Sequence, residues 1–357
     1  AHLRAAGAII FGKTNTSELA LDYTAENPLF GRTLNPHDEA RTPGGSSGGC
    51  AAAVASCLTP ASLASDMTGS IRVPAHFCGV AGLKPTVGVV PIAGHFPPTE
   101  GACSLGASLG PIARTVDDLA LLFDALANSD QRLAHPSRAR QSLSGLRVAF
   151  YTDDGTARVG TETRAAVESA AQSLGEAGCD VFEARPVGVE RAPGLWLALF
   201  SRAVRGVVRE LYAGRVGDAG RAARALIERD VLPAQTLDDY FAAWLERDQL
   251  LAQLLEWMRD VPLLVAPVGA VPAFAHNARK VEIDGQTVSV FRAFSYAQTF
   301  NVFGLPVACV PAGRTREGLP LGVQIVGRPF AEATVLAAAR VVEEALGGWQ
   351  PPKPALP

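Results

Sequence analysis

The stretch from Thr42 to Thr86 reads Thr42-Pro-Gly-Gly-Ser46-Ser47-Gly-Gly49, an alanine-rich run, then Ser65-Asp66-Met67-Thr68-Gly69-Ser70-Ile71-Arg72-Val73, and finally Cys78-Gly79-Val-Ala-Gly82-Leu-Lys84-Pro85-Thr86. Four glycines around two serines let backbone approach backbone closely and turn unusual corners, so the loop can offer amide N–H groups to an anion or a reacting carbonyl while exposing hydroxyls. An isolated Gly/Ser cluster is more often a plain surface turn, so two motifs are tested against it. A phosphate-binding P-loop needs a lysine after the last glycine, and Cys50 stands there. Gly45-Ser-Ser47-Gly-Gly49 satisfies G-x-S-x-G, but a nucleophile elbow follows a buried strand and Pro36 to Pro43 is polar; Gly106-Ala-Ser108-Leu-Gly110 matches as emptily.

Outward from this stretch, helical and strand-like segments alternate, which argues for α/β layering. Residues 8–11 read as a short buried strand and 49–58 as a buried Ala-rich helix. Thr115 caps a helix running to Leu126, with Asp117 and Asp118 in its first turn, where the helix dipole favours them. Residues 129–144 read as a surface connection, Leu146–Tyr151 as a strand, Thr161–Glu176 as an amphipathic helix ending at Gly178, and Asp180–Glu183 as a short strand. From 192 to 259 the pattern is helical, broken near Leu232-Pro233. Pro262–Pro267, Val307–Val310 and Leu321–Val326 read as buried strands, Ala331–Leu346 as a closing helix, and 351–357 as a loose tail. The expectation is one large domain over 1–357 with a peripheral helical section at 192–259.

Composition excludes several function classes. With 357 residues, 48% of them hydrophobic, there is ample material for a core. A net charge of -3 with no clustered basic face argues against nucleic acid as a partner. No apolar run reaches the ~18–20 residues of a membrane helix, so no membrane partner is expected. The six cysteines contain no C-x-x-C pair and no compact His/Cys cluster, so no metal is expected. They read as small buried hydrophobes in a reducing, cytoplasmic setting. The start carries no basic leader before an apolar core, so no signal peptide is read. It opens instead in a helix-to-strand pattern, and a preceding segment is expected.

Taken together, the two serine loops, with Ser46 and Ser70 24 positions apart and a helix between them, resemble the amidase signature family. Further matches follow in family order: Leu3-Arg-Ala-Ala-Gly-Ala-Ile-Ile-Phe-Gly-Lys-Thr-Asn15, Leu109-Gly-Pro-Ile-Ala-Arg-Thr-Val-Asp-Asp-Leu119, Phe300-Asn-Val-Phe-Gly-Leu-Pro306 and Gly318-Leu-Pro-Leu-Gly-Val-Gln-Ile-Val-Gly327. The resemblance implies a mixed twisted sheet with helices on both faces. It also implies hydrolysis of a small-molecule carboxamide, without cofactor, by a Ser–cis-Ser–Lys triad. Ser70 would be the nucleophile and Ser46, after a cis peptide, the proton relay, because a serine hydroxyl needs a base and a departing amine needs a proton. Backbone amides of Met67, Thr68, Gly69 and Ser70 would form an oxyanion hole, at ~3 kcal/mol per donor in comparable enzymes. Ser47 would be a hydrogen-bonding neighbour, and Asp66 and Arg72 the scaffold of the loop.

Two departures accompany the resemblance. The family's lysine lies upstream of the Leu-Arg-Ala-Ala-Gly match, and Lys13, Lys84, Lys280 and Lys353 do not fit its role. The favoured reading is a preceding segment that carries the lysine; the alternative is a degenerate member that serves in binding or assembly. Thr68 stands where the family commonly has glycine. At φ > 0 it would be strained by about 1–3 kcal/mol, and otherwise it narrows the pocket. His37, His76 and His95 bracket the serine loops and would suit a Ser/His/Asp esterase, with His95 the candidate for a pocket-lining residue. An amidotransferase of the A type shares the core, but Val73 stands where those proteins have glutamine. A homo-oligomer is left open.

Overall fold

The runs Leu263–Pro267, Val307–Arg314 and Pro320–Gly327 are apolar almost without interruption, the pattern of strands covered on both faces. The computed structural model, which describes residues 1–127, 141–228 and 234–353, makes them part of an eight-stranded sheet. In chain order its strands are β1 (Ala61–Asp66), β2 (Ala81–Lys84), β3 (Ser108–Ala113), β4 (Arg147–Phe150), β5 (Asp180–Glu183), β6 (Leu263–Pro267), β7 (Val307–Arg314) and β8 (Pro320–Gly327). They lie in the order β1-β3-β2-β7-β8-β6-β4-β5. The pairs from β1 to β6 are antiparallel, and β6-β4 and β4-β5 are parallel, so the sheet is mixed.

Alternation along the strands divides the core. Leu264 and Ala266 of β6 join one apolar cluster, while Leu263 and Val265 join the other. Helices α1 (Gly48–Ala55), α2 (Arg72–Cys78), α5 (Ala192–Leu211), α7 (Leu237–Trp257) and α8 (Ser295–Val302) contribute to the first cluster. Helices α3 (Val116–Ala127), α4 (Thr161–Glu176) and α9 (Glu332–Leu346) contribute to the second, so helices cover both faces. The short α6 (Arg221–Glu228) packs with α5 at the periphery. Local signals set the ends of these helices. Thr115 Oγ1 accepts the Asp118 N–H at 3.1 Å, and α4 stops before Gly178, whose φ is +94°.

Some expectations are corrected. Residues 8–11 form no strand, and Ile9, Ile10 and Phe11 are 87%, 52% and 75% exposed. An apolar run makes a buried strand only where a neighbouring strand accepts its backbone bonds, and these residues join none of the described sheets. Ala61–Asp66 and Ser108–Ala113, not read as strands, pair along their full length at one edge of the sheet. Lys280 opens a short strand, Lys280–Ile283, paired with Gln286–Ser289, which had no place in the expected pattern of elements. Cys57 is exposed at the end of α1, whereas the other five cysteines are buried. The connection at 129–144, apart from 141–144, lies outside the described residues, as do the break at Leu232-Pro233 and residues 354–357. No helix among the described residues is long and apolar enough to cross a membrane.

Candidate active site

Both serine loops end at the start of a helix. Ser46 and Ser47 immediately precede α1, and Ser70 sits in the turn that carries β1 into α2. The peptide bond Gly45–Ser46 is cis. Its surroundings explain the glycine: a Cβ at Gly45 would lie 2.3 Å from the Thr24 carbonyl oxygen, so only hydrogen fits. The Ser46 carbonyl accepts from Thr16 Oγ1 at 2.8 Å and from the Ser17 N–H at 3.4 Å, pinning this loop to the Lys13–Ser17 segment. The Ser47 N–H donates to the Ser70 carbonyl at 3.3 Å, joining the two serine loops backbone to backbone. Ser46 and Ser70 are 1% and 6% exposed, so both hydroxyls lie in a largely water-excluded setting.

Asp66, at the end of β1, organises the turn. Its carboxylate accepts the N–H of Gly69 at 2.8 Å and of Ile71 at 3.1 Å, and receives Arg72 Nε at 3.0 Å and Nη2 at 2.8 Å. Asn301 Nδ2 adds a bond at 3.0 Å. Burial by itself would raise this carboxyl; the charge and hydrogen bonds of Arg72, helped by Lys84 and Asn301, outweigh it and hold the pKa down to about 2. Arg72 is fully buried and spends its other donors on Gln324 Oε1 at 2.5 Å and Asn301 Oδ1 at 2.6 Å. The buried pair therefore has its hydrogen bonds satisfied, the condition under which a buried charge is tolerated.

This arrangement corrects one member of the expected hole. The Gly69 N–H is committed to Asp66, which accepts it at 2.8 Å at the end of β1. The amides of Met67, Thr68 and Ser70 have no acceptor among the described residues. Thr68 is not among the residues with positive φ, so its β-branched side chain carries no backbone strain.

The remaining candidates fall to either side of the cradle. Ser47 Oγ donates to the Ser65 carbonyl at 3.5 Å. His95 Nε2 meets Ser65 Oγ at 2.9 Å and Nδ1 meets the Pro97 carbonyl at 2.9 Å, so the ring borders β1 one residue before Asp66. His76 is fully buried between the Val271 carbonyl and the Gly322 N–H, and burial pushes its pKa down to about 4. His37 bonds the Cys78 carbonyl. Among the described residues none of these rings hydrogen-bonds Ser46, Ser47 or Ser70. Lys84 is buried and its pKa falls to about 7, through burial first and the charge of Arg72 second, but Nζ donates to the Pro85 carbonyl at 2.9 Å. Lys13 and Lys280 are exposed. A cleft of about 290 Å³ bordered by Ser17, Asp22, Thr24 and Glu26 opens beside the Ser46 loop. Among the described residues no group of three or more His, Cys, Asp or Glu stands ready to hold a metal ion.

Four residues of this site escaped the reading of the sequence. Asn301 and Gln324 lie inside the family motifs but had been given no role. A glutamine in an otherwise apolar strand was the signal to follow, since a buried amide needs partners. Tyr23, whose hydroxyl donates to the Thr68 carbonyl at 2.8 Å, and Trp196, whose Nε1 donates to the Met67 carbonyl at 2.8 Å, carried no local signal.

The family profile described as Amidase matches residues 1–336. A putative amidase, AmiB2, of Mycobacterium tuberculosis (strain CDC 1551 / Oshkosh) is 36% identical over 349 residues, covering 96% of this chain and 74% of its own. The A-type component of glutamyl-tRNA(Gln) amidotransferase from Koribacter versatilis is 32% identical over 379 residues, covering 96% and 76%. Among solved structures, 6-aminohexanoate cyclic dimer hydrolase complexed with substrate superposes with a TM-score of 0.86 at 27% identity, covering 99% of this chain and 78% of that one. With the family profile spanning nearly the whole sequence and the same mixed α/β fold in its structural neighbours, the chain belongs to the amidase signature family.

Proposed function

We propose that the protein hydrolyses a small-molecule carboxamide to a carboxylate and ammonia or an amine through an acyl-enzyme on Ser70. The observation that carries this reading is the backbone bond from Ser47 to Ser70, which sets the cis-peptide serine loop against the strand-to-helix turn. Ser70 Oγ attacks the amide carbonyl and gives its proton to Ser46 Oγ, which passes its own to the neutral lysine amine that the amidase signature family carries upstream of the Leu3–Gly7 match, a role that Lys13, Lys84, Lys280 and Lys353 do not fit. The negative oxygen of the tetrahedral intermediate accepts from the amides of Met67, Thr68 and Ser70. Collapse returns a proton through Ser46 to the departing nitrogen, and water releases the acyl group by the same relay. Ser47, Asp66 and Arg72 hold the loops in register, and His95 borders the approach to them.

A fluorophosphonate probe tests this proposal on the present chain and on one extended at its N terminus. Labelling at Ser70 in either supports the amidase. Labelling in neither favours a binding or assembly role for the same fold. The amidotransferase alternative is supported by the relatives that bear that name; ammonia release from glutamine, with none from simple aliphatic or aryl amides, would favour it. His95→Ala removes activity in a Ser/His/Asp esterase and leaves it in the enzyme proposed here.

A further inference from the structure

Two successive carbonyls of the turn before Ser70 are gripped by side chains from distant parts of the chain. Trp196 Nε1, on α5, donates to the Met67 carbonyl, and the Tyr23 hydroxyl donates to the Thr68 carbonyl, both at 2.8 Å. A trans peptide is planar, so its C=O and the next N–H point in opposite directions. Among the described residues the only cis bonds are Gly45–Ser46 and Phe96–Pro97, so both peptides of this turn are trans. Holding the Thr68 carbonyl on Tyr23 therefore sends the Gly69 N–H the other way, which is where Asp66 takes it at 2.8 Å. By the same geometry, holding the Met67 carbonyl on Trp196 sends the Thr68 N–H away from α5. That N–H has no acceptor among the described residues.

We infer that Trp196 is a positioning residue: its indole N–H fixes the direction of the Thr68 amide, so that α5 sets the aim of an oxyanion donor. This rests on the amidase reading of Ser70. The ring itself is well held. It is 8% exposed and packs edge-on against Phe291 and Phe200, with ring centroids 5.6 Å and 6.1 Å away. Gln298 Nε2 bonds both the Phe291 carbonyl at 2.9 Å and Tyr23 Oη at 3.2 Å, tying the two donors into one support. An amide bond held this way needs no reorganisation when charge develops on the substrate.

The test is Trp196→Phe, which keeps an aromatic ring in the packing while removing the donor along with part of the ring system, with Leu197→Ala on the same helix as control. Hydrogen exchange of the peptide spanning 64–73 reads the turn without any chemistry. Loss of one hydrogen bond should speed exchange there roughly fivefold in the Phe variant and leave the control unchanged. Fluorophosphonate labelling of Ser70 reads the donor. The maximal labelling rate should fall about tenfold, with the half-saturating probe concentration unchanged, a smaller loss than the roughly 10²–10³ that removal of a whole donor costs. Unchanged exchange in the Phe variant overturns the inference, as does faster exchange with an unchanged labelling rate. If neither the parent chain nor one extended at its N terminus is labelled, the reading of Ser70 falls, while faster exchange still supports the grip of Trp196 on the turn.

Discussion

Residues 42–50 and 69–86 are buried without a break, whereas along α7 only Ala243 and Leu254 are buried and Leu237, Phe241 and Leu245 are 67%, 59% and 61% exposed. In the cradle, charged and polar groups are enclosed and matched to one another, from Asp66 and Arg72 to Asn301 and Gln324. On α7, charges such as Asp248 and Glu256 pair with neighbours on the surface at 16–71% side-chain exposure, where ion pairs contribute little. The contrast teaches where stability and chemistry are concentrated. An enclosed polar network tolerates few changes because each group lost leaves another without a partner, while a half-wet helix absorbs them.

The most severe break in this comparison is Ser70→Ala, for which fluorophosphonate labelling of the active chain should vanish while the fold survives. Next comes Arg72→Met. It leaves the Asp66 carboxylate buried beside Asn301 without its charge partner and should destabilise the protein by about 3–5 kcal/mol in urea unfolding. A change under about 1 kcal/mol would mean that the enclosed network is not what holds the cradle.

Acid should sharpen the contrast with a smaller effect. Folding lowers the pKa of His76 from 6.5 to about 4, so the native state binds that proton less readily than the unfolded chain. Its stabilising contribution is complete above pH 6.5 and is lost as pH falls toward 4, at a cost of about 3 kcal/mol. Asp66, lowered from 3.8 to about 2, extends the loss by about 2 kcal/mol as pH falls from 4 to 2. Urea midpoints measured at pH 7, 5 and 4 on the parent and on His76→Gln check the first window by difference, because burial raises Glu343 to about 7 and works in the opposite sense there; an equal acid response of the two proteins would count against the enclosure of His76. At the mild extreme, Leu245→Ala should shift stability by less than about 0.5 kcal/mol, since its side chain is already 61% exposed.

Much of this was legible beforehand, and the exceptions share a cause. The helix Thr161–Glu176 with its glycine stop, the capped helix after Thr115 and the apolar strands after residue 262 depend on neighbours within a turn or two, and each lies where periodicity and capping put it. Residues 8–11 carry the same apolar signature and lie exposed, because a strand also needs a partner that its own residues do not name. Gly69 shows the same limit at finer scale. The motif marks the loop, but whether an amide in it faces substrate or Asp66 depends on a torsion and on a carboxylate three residues back.

By itself the sequence determined the family, the two serine loops and the alternation of helix and strand, since these are written in short motifs and in periods of two and 3.6 residues. Only the tertiary structure decided what supports the chemistry: Asn301 reaches Asp66 across 235 positions, Gln324 reaches Arg72 across 252, and Trp196 reaches Met67 across 129. Hydrogen bonds of that kind require both partners to be delivered by separate elements packed on one face of the sheet. No local pattern encodes that meeting; the packed core creates it.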